Sequence, residues 1–198
     1  MRAVRTVVGK VMPLYRADID TDQIMPKQFL KRVERTGFGD RIFFDWRQDP
    51  GFVINNPAHA SANVLVTGPN FGSGSSREHA PWGLQQHGFE AIIAPSFGAI
   101  FATNCTKIGL LLVTLPARQC AELAELATVD AATEVEIDLP AQTVAWDGVT
   151  ARFEIDATRK RMLVEGLDEI TAALHNEGAI AAYEARRSPW MPHTVMER

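Results

Sequence analysis

The apolar run Val64-Leu65-Val66 leads through Thr67 into Gly68-Pro69-Asn70-Phe71-Gly72-Ser73-Gly74-Ser75-Ser76-Arg77-Glu78-His79-Ala80-Pro81-Trp82. Apolar residues that give way to glycines and hydroxyls, and then to a periodic segment closed by Gly88, are laid out as a strand, an anion-binding loop and a helix. One arginine, one glutamate and one histidine stand in the same turn. Most other features of the chain can be read as support for this loop or completion of its site.

Downstream the pattern repeats. Residues 62–67 form the first strand of the series and 78–87 its helix; Ala91-Ile92-Ile93-Ala94 is a second strand, stopped by Pro95. Residues 97–107 are helical and end near Gly109, 110–115 are a third strand, and 118–127 an amphipathic helix. Such strand–helix alternation builds βαβ units around a partly parallel sheet. The chain then changes character. Residues 133–139, 143–146 and 151–155 alternate apolar with polar and are separated by Pro140-Ala141-Gln142 and by Asp147-Gly148, a hairpin signal. This is a small antiparallel meander. Residues 158–185 are helical in pattern, and the polar tail 186–198 is expected either to be disordered or to lie against a partner.

Upstream, residues 6–14 are β-branched and read as a strand. Asp18-Ile19-Asp20-Thr21-Asp22-Gln23-Ile24 is too polar for a core strand. Residues 27–56 mix aromatics, charges and glycines without a period, so short helical turns and loops are expected there, followed by a connector over 55–62. The outcome is one α/β domain, with residues 1–157 as its core and 158–198 as a helical extension and tail.

Composition narrows the function classes. With 198 residues, 46% hydrophobic and 22% charged, the chain has enough apolar material for a proper core. A formal charge of -4 argues against nucleic acid, whose binders carry a basic face. No apolar run approaches the roughly 18 residues of a membrane span, and no apolar signal core follows Met1-Arg2-Ala3-Val4-Arg5. Two cysteines, Cys105 and Cys120, form no disulfide framework and match no zinc or iron–sulfur spacing. A cytoplasmic protein with reduced thiols is expected.

Ser75-Ser76-Arg77-Glu78 fits a capping box, with Ser75 as N-cap and Glu78 reaching back. Two features point beyond capping. Gly72, Gly74 and the helix start would turn several backbone N–H groups toward one point, which suits an anion. Arg77, placed in the first turn by this reading, opposes the helix dipole, and its planar fork makes more sense facing a carboxylate or phosphate. The nucleotide-binding glycine patterns are incomplete here, and no Gly-x-Ser-x-Gly elbow is present. The residues alone thus describe a carboxylate-binding site with a serine placed to act. Pro81 would remove a hydrogen bond beyond the first turn, so the helix is expected to start late or kink.

The aspartates at 18, 20 and 22 are equally well read as a solvated turn or as functional groups, and they lack the rest of a calcium loop. His59, His87, His175 and His193 read as surface or cap residues, while His79 either orients a partner or packs. Asn104 and Lys107, near a helix end, carry little weight as site residues.

Assembled, these residues resemble the aconitase superfamily, in particular the small, swivel-domain subunits of bacterial 3-isopropylmalate dehydratases. The resemblance runs over almost the whole chain. It rests on residues 18–24, Phe29-Leu30-Lys31-Arg32, Arg35-Thr36-Gly37-Phe38-Gly39, residues 72–82, Ala94-Pro95-Ser96-Phe97, Ile100-Phe101 and Gly166-Leu167-Asp168. Pro81-Trp82 and Ala181-Ala182-Tyr183-Glu184-Ala185 mark the bacterial branch.

The resemblance implies a swivel-type mixed β-sheet or barrel flanked by helices, with a C-terminal helical extension. It implies a hydro-lyase that isomerises 2-isopropylmalate to 3-isopropylmalate by dehydration and rehydration in leucine biosynthesis, active only with a large subunit. That partner would carry a [4Fe–4S] cluster as Lewis acid, and this chain no metal. By motif position Ser75 is the base, Asp22 an orienting group, and Ser76, Arg77 and Gly74 lie at the substrate carboxylate. Lys31 or Arg32 would read the distal end of a dicarboxylate, beside Leu30 and Val33. Rival readings are a citraconate, maleate or homoaconitate-type hydratase, or a non-catalytic anion-binding module.

Overall fold

The computed structural model describes residues 1–31, 35–174, 176–188 and 190. Its sheet is laid out from one long strand, β1 (Thr6–Leu14). The second half of β1 pairs in parallel with β2 (Val64–Thr67), matching Val11 to Val64 and Leu14 to Thr67. The first half pairs antiparallel with β5 (Glu134–Asp138), matching Thr6 to Asp138 and Lys10 to Glu134. One strand therefore joins two half-sheets of opposite style. β3 (Ala91–Ala94) and β4 (Leu111–Thr114) extend the parallel half; β6 (Thr143–Trp146) and β7 (Val149–Arg152) extend the antiparallel half. The order is β4-β3-β2-β1-β5-β6-β7.

Burial along β1 follows this change of style. It alternates in the antiparallel half and becomes nearly continuous in the parallel half, where both faces are covered. β2 and β3 are buried at every residue, as their unbroken apolar runs require. Parallel neighbours need crossovers, and α2 (His79–His87) and α3 (Ala99–Ile108) supply them between β2, β3 and β4. α4 (Ala117–Val129) then leads into the meander, whose β6–β7 turn has positive φ at both Asp147 and Gly148, a type I′ hairpin.

The sheet separates two cores. On one face Val7, Val11, Val64, Val66, Ile93 and Val113 pack under Leu123, Ala124 and Ala127 of α4 and against the meander. On the other, Met12, Leu65 and Ile92 meet Phe38, Phe43, Phe52, Phe71, Phe89 and Phe101. Half of these rings, Phe38, Phe43 and Phe52, come from the segment 21–60, within which lie α1 (Thr21–Ile24) and a series of short 3-10 turns such as Gly39–Arg41 and Pro57–His59. The expectation of short turns there holds. His59, expected as a surface or cap residue, is buried at the end of one of those turns.

The extension divides. α5 (Ala157–Glu165) is capped by the Asp156 carboxylate and buries Leu163 in the aliphatic core. Leu167 is buried as well. α6 (Glu169–Leu174) and α7 (Glu177–Ala185) expose Ile170, Leu174, Ile180 and Tyr183. No helix among the described residues is long and apolar enough to cross a membrane.

Candidate active site

Because β1, β2 and β3 are parallel, the loops leaving their carboxyl ends emerge on one edge of the sheet, where open α/β folds place ligands. Here those loops are knitted together. Gly68 N–H donates to the Arg16 carbonyl at 3.1 Å, Asp18 N–H to Pro69 at 2.9 Å, Gly72 N–H to Ile19 at 2.7 Å and Thr21 N–H to Ser73 at 2.9 Å. On the other flank Phe71 N–H donates to the Ser96 carbonyl at 3.1 Å, Gly98 N–H to Phe71 at 2.9 Å, and Asn70 N–H to Ser96 Oγ at 2.8 Å. The serine loop lies between the loops after β1 and β3 and is bonded to both.

Gly72 is what lets it lie so close. Its φ is +72°, and a Cβ there would stand 2.3 Å from the Phe101 ring. Phe101 in turn packs edge-on against Phe71 at 5.4 Å. Beyond Gly72 the chain climbs to the surface, and Gly74, Ser75 and Ser76 are exposed.

Helix α2 does not begin at the serine. Its N-cap is Glu78, which makes no side-chain cap bond, so Ser75 lies three residues upstream and Arg77 stands outside the helix. Pro81 accounts for the late start. In a helix opening at His79, Pro81 is the third residue, where an N–H would have no intrahelical partner. The capping box that does form is Asp20-Thr21-Asp22-Gln23, at α1. Asp20 Oδ1 accepts from Gln23 N–H at 2.7 Å, and Gln23 Oε1 from Asp20 N–H at 2.9 Å. Its sequence signature, an acid followed three residues on by Gln, stood open beside the more conspicuous serine one.

That box orients Asp22 in the first turn of α1, and Asp22 forms an ion pair with Arg77. The pair joins two residues that the sequence singled out separately. Asp22 is 53% and Arg77 23% exposed. An exposed pair contributes only about 0–1 kcal/mol to stability, so its consequence is to aim the guanidinium beside the serines rather than to hold the fold.

Beneath, His79 packs edge-on to Phe38 at 5.2 Å and against Trp82 at 4.9 Å. Burial holds its pKa below the ordinary imidazole value, with Glu78 raising it and Arg77 lowering it by smaller amounts. Of the two alternatives for His79, packing is the one observed. Arg35 lies over the Trp82 ring at 5.4 Å, and Gln86 of α2 bonds both Phe38 N–H and the Arg35 carbonyl. Helix α2 thereby organises the irregular segment beside the site.

The 29–33 segment is met in part. Phe29 packs edge-on to Phe44 at 5.0 Å, Leu30 is half-buried against the aromatic core, and Lys31 is exposed. Arg32 and Val33 lie outside the described residues, as do His175 and His193. No hydrogen bond or ion pair joins Leu30 or Lys31 to the serine loop among the described residues.

This geometry can be set beside known proteins. The family model described as the Aconitase C-terminal domain matches residues 1–118, and the one described as LeuD_N matches residues 121–157. A 3-isopropylmalate dehydratase small subunit of Frankia alni is 48% identical over 195 residues, covering 98% of this chain and all of that one. One of Acidothermus cellulolyticus is 49% identical over 194 residues, covering 98% of each.

The chain belongs to the 3-isopropylmalate dehydratase small-subunit family, within the aconitase superfamily.

A crystal structure of 3-isopropylmalate dehydratase from Methanocaldococcus jannaschii superposes with a TM-score of 0.66, covering 90% of this chain and 99% of that one at 23% identity. That likeness concerns the fold, and the expected mixed sheet flanked by helices is the fold of this family member.

Two further residues join the site that the sequence had not placed there. Thr21, fully buried in α1, donates its hydroxyl to the Ser75 carbonyl at 3.2 Å. Asn104 of α3 donates its amide to the Ser76 carbonyl at 3.3 Å. Their only sequence signal was position: a threonine enclosed by aspartates, and a polar residue on an otherwise apolar helix face.

Proposed function

We propose that this chain is the small subunit of a 3-isopropylmalate dehydratase, a hydro-lyase that interconverts 2- and 3-isopropylmalate by dehydration and rehydration in leucine biosynthesis. The observation that carries the reading is the Arg77–Asp22 pair beside exposed Ser75 and Ser76, on a loop anchored at the carboxyl edge of the parallel strands. Family membership adds the reaction, since the relatives are dehydratase small subunits.

In this reading Ser75 removes the carbon-bound proton and returns it to the neighbouring carbon. A free serine hydroxyl is far too weak a base, so its alkoxide must be met by donors placed beforehand. With α2 starting at His79, the nearest donors in sequence are the loop amides and Arg77 rather than the first turn of the helix. Ser76, Arg77 and the Gly74 amide take the substrate carboxylate, Arg77 by its two-pronged guanidinium. Asp22 keeps that guanidinium in place until substrate arrives. Lys31 or Arg32, with Leu30 and Val33, reads the far end of the dicarboxylate and its isopropyl group.

The Lewis acid of the reaction, a [4Fe–4S] cluster, is assigned to the large subunit. Cys105 and Cys120 do not fit as ligands, because both are buried, in the cores on opposite faces of the sheet. Burial raises both thiols, Cys120 to about 11, which disfavours the thiolate that a cluster needs. The assembly is cytoplasmic, with neither nucleic acid nor membrane as partner.

The test is the heteromer with its large subunit, assayed without oxygen on 2-isopropylmalate and on citraconate. Ser75→Ala is expected to lower kcat by about 10²–10⁴-fold, as loss of a general base does, with KM and Tm little changed. The isolated chain should not turn over. Undiminished turnover by Ser75→Ala, or activity confined to citraconate, would overturn the reading.

A further inference from the structure

Thr21 and Asn104 are buried polar residues whose side chains serve neither helix nor sheet. Thr21 is 0% exposed and Asn104 8%. Both spend their hydrogen bond on the backbone of the serine loop, Thr21 on the Ser75 carbonyl and Asn104 on that of Ser76. Thr21 holds a third point, because its own N–H donates to the Ser73 carbonyl at 2.9 Å.

The geometry of the peptide unit gives these bonds a consequence. A trans peptide is planar, so its C=O and N–H point in opposite directions, and no cis peptide occurs among the described residues. Drawing the carbonyls of Ser73, Ser75 and Ser76 toward the buried anchors therefore turns the N–H groups of Gly74, Ser76 and Arg77 away from the core. Among the described residues none of those three amides meets a backbone acceptor. Gly74, Ser75 and Ser76 are exposed and Arg77 is half-buried.

We propose that Thr21 and Asn104 are positioning residues of this active site, holding loop carbonyls inward so that the loop amides and Ser75 are set toward the substrate. The inference rests on the role given to Ser75 above. It also ties two parts of the site to one short stretch, since Thr21 anchors the serine loop while its neighbour Asp22 holds Arg77. Movement of α1 would thus displace the base and the guanidinium together.

The experiment uses the reconstituted heteromer with 2-isopropylmalate. Thr21→Val keeps the shape and removes the hydroxyl; Asn104→Leu removes the donor. Each should lower kcat by about 10- to 100-fold, the scale of a small misplacement of reacting groups, with KM changed less than threefold. The acid limb of the kcat–pH profile should move to higher pH, because an alkoxide with worse-placed donors forms less readily. Thr21→Ser should restore most of the rate. A purely structural role would lower Tm and leave kcat per folded molecule and its pH profile unmoved, and that result would overturn the inference. If Thr21→Val does not fold, Asn104→Leu and Thr21→Ser decide it by the same readouts. Wild-type heteromer without turnover of 2-isopropylmalate, or Ser75→Ala with full activity, would instead remove the proposed function beneath it.

Discussion

One sheet carries two unlike faces. Its aliphatic face is covered by α4 and the meander and is built mainly from Val, Ile, Leu and Ala, joined by Trp146 and Phe153, largely in regular elements. Its aromatic face is covered by α1, α2, α3 and a run of 3-10 turns, and it holds six phenylalanines buried to 5% exposure or less. The serine loop, Asp22 and both buried anchors belong to the aromatic side. Regular elements on one face supply stability without special demands on any single residue. Irregular chain on the other supplies carbonyls and amides free of helix and sheet, and those are the groups an active site can aim. The difference teaches where a substitution should damage chemistry and where it should damage only the fold.

The hardest test compares two glycines of nearly equal φ, Gly72 at +72° and Gly148 at +74°. An alanine at Gly72 meets the Phe101 ring at 2.3 Å, whereas one at Gly148 has nothing within 4 Å. Gly72→Ala should therefore add overpacking to left-handed strain, roughly 2–5 kcal/mol together. By displacing the serine loop it should also cut kcat by about 10²-fold. Gly148→Ala should cost only the strain, about 1–2 kcal/mol, and leave turnover alone. Denaturant midpoints and steady-state kinetics on the heteromer check both. Equal effects at the two sites would remove the distinction between the faces.

The same contrast explains what could be read from the sequence. β3 and β6 were bounded correctly, and the Asp147-Gly148 turn identified, because alternation and unbroken apolar runs are local signals. The aromatic face has no period to read. Its order comes from particular rings meeting at particular angles, such as Phe43 stacked on Trp46 at 5.5 Å and Phe29 edge-on to Phe44. The serine loop itself was conspicuous, and its helix was bounded to within one residue with the late start that Pro81 implies, but Ser75 and Glu78 imitate a capping box that does not form. Thr21 was passed over, and Asn104 given little weight, for a different reason. Their partners are backbone carbonyls 54 and 28 residues away, and a backbone carbonyl leaves no mark in a sequence.

The next test turns to the aliphatic face. Leu123 is fully buried where α4 crosses the sheet. Leu123→Ala should cost about 2–5 kcal/mol through lost burial and the cavity left behind. In a chain of this length each kcal/mol lowers Tm by roughly 2–4 °C. Turnover per folded heteromer should be unchanged, since no site residue rests on α4. A tenfold fall in kcat/KM at full folding would show that the two faces are mechanically coupled through the sheet, contrary to the division drawn here.

The smallest effect is a pH dependence that only the aromatic face should produce. His79 and His87 both lie on α2 and have pKa values below the ordinary 6.5, in each case mainly through burial. Around His79 stand Glu78, which raises it, and Arg77, which lowers it. Around His87, Arg47 lowers it, while the Gly39 backbone and Asp40 raise it. In both, the folded chain binds a proton less readily than the unfolded chain. Stability from these groups is therefore complete above about pH 6.5 and falls as pH drops through that value toward the lower folded pKa values. Asp168, held low chiefly by the Thr171 amide, titrates in more acid solution and does not enter this window. The Tm of the isolated chain should decline between pH 7.5 and 5.5, and the decline should shrink in a His79→Gln, His87→Gln double variant. A slope that survives the double variant intact would place the sensitivity elsewhere and leave α2 no more tuned to pH than the aliphatic face behind it.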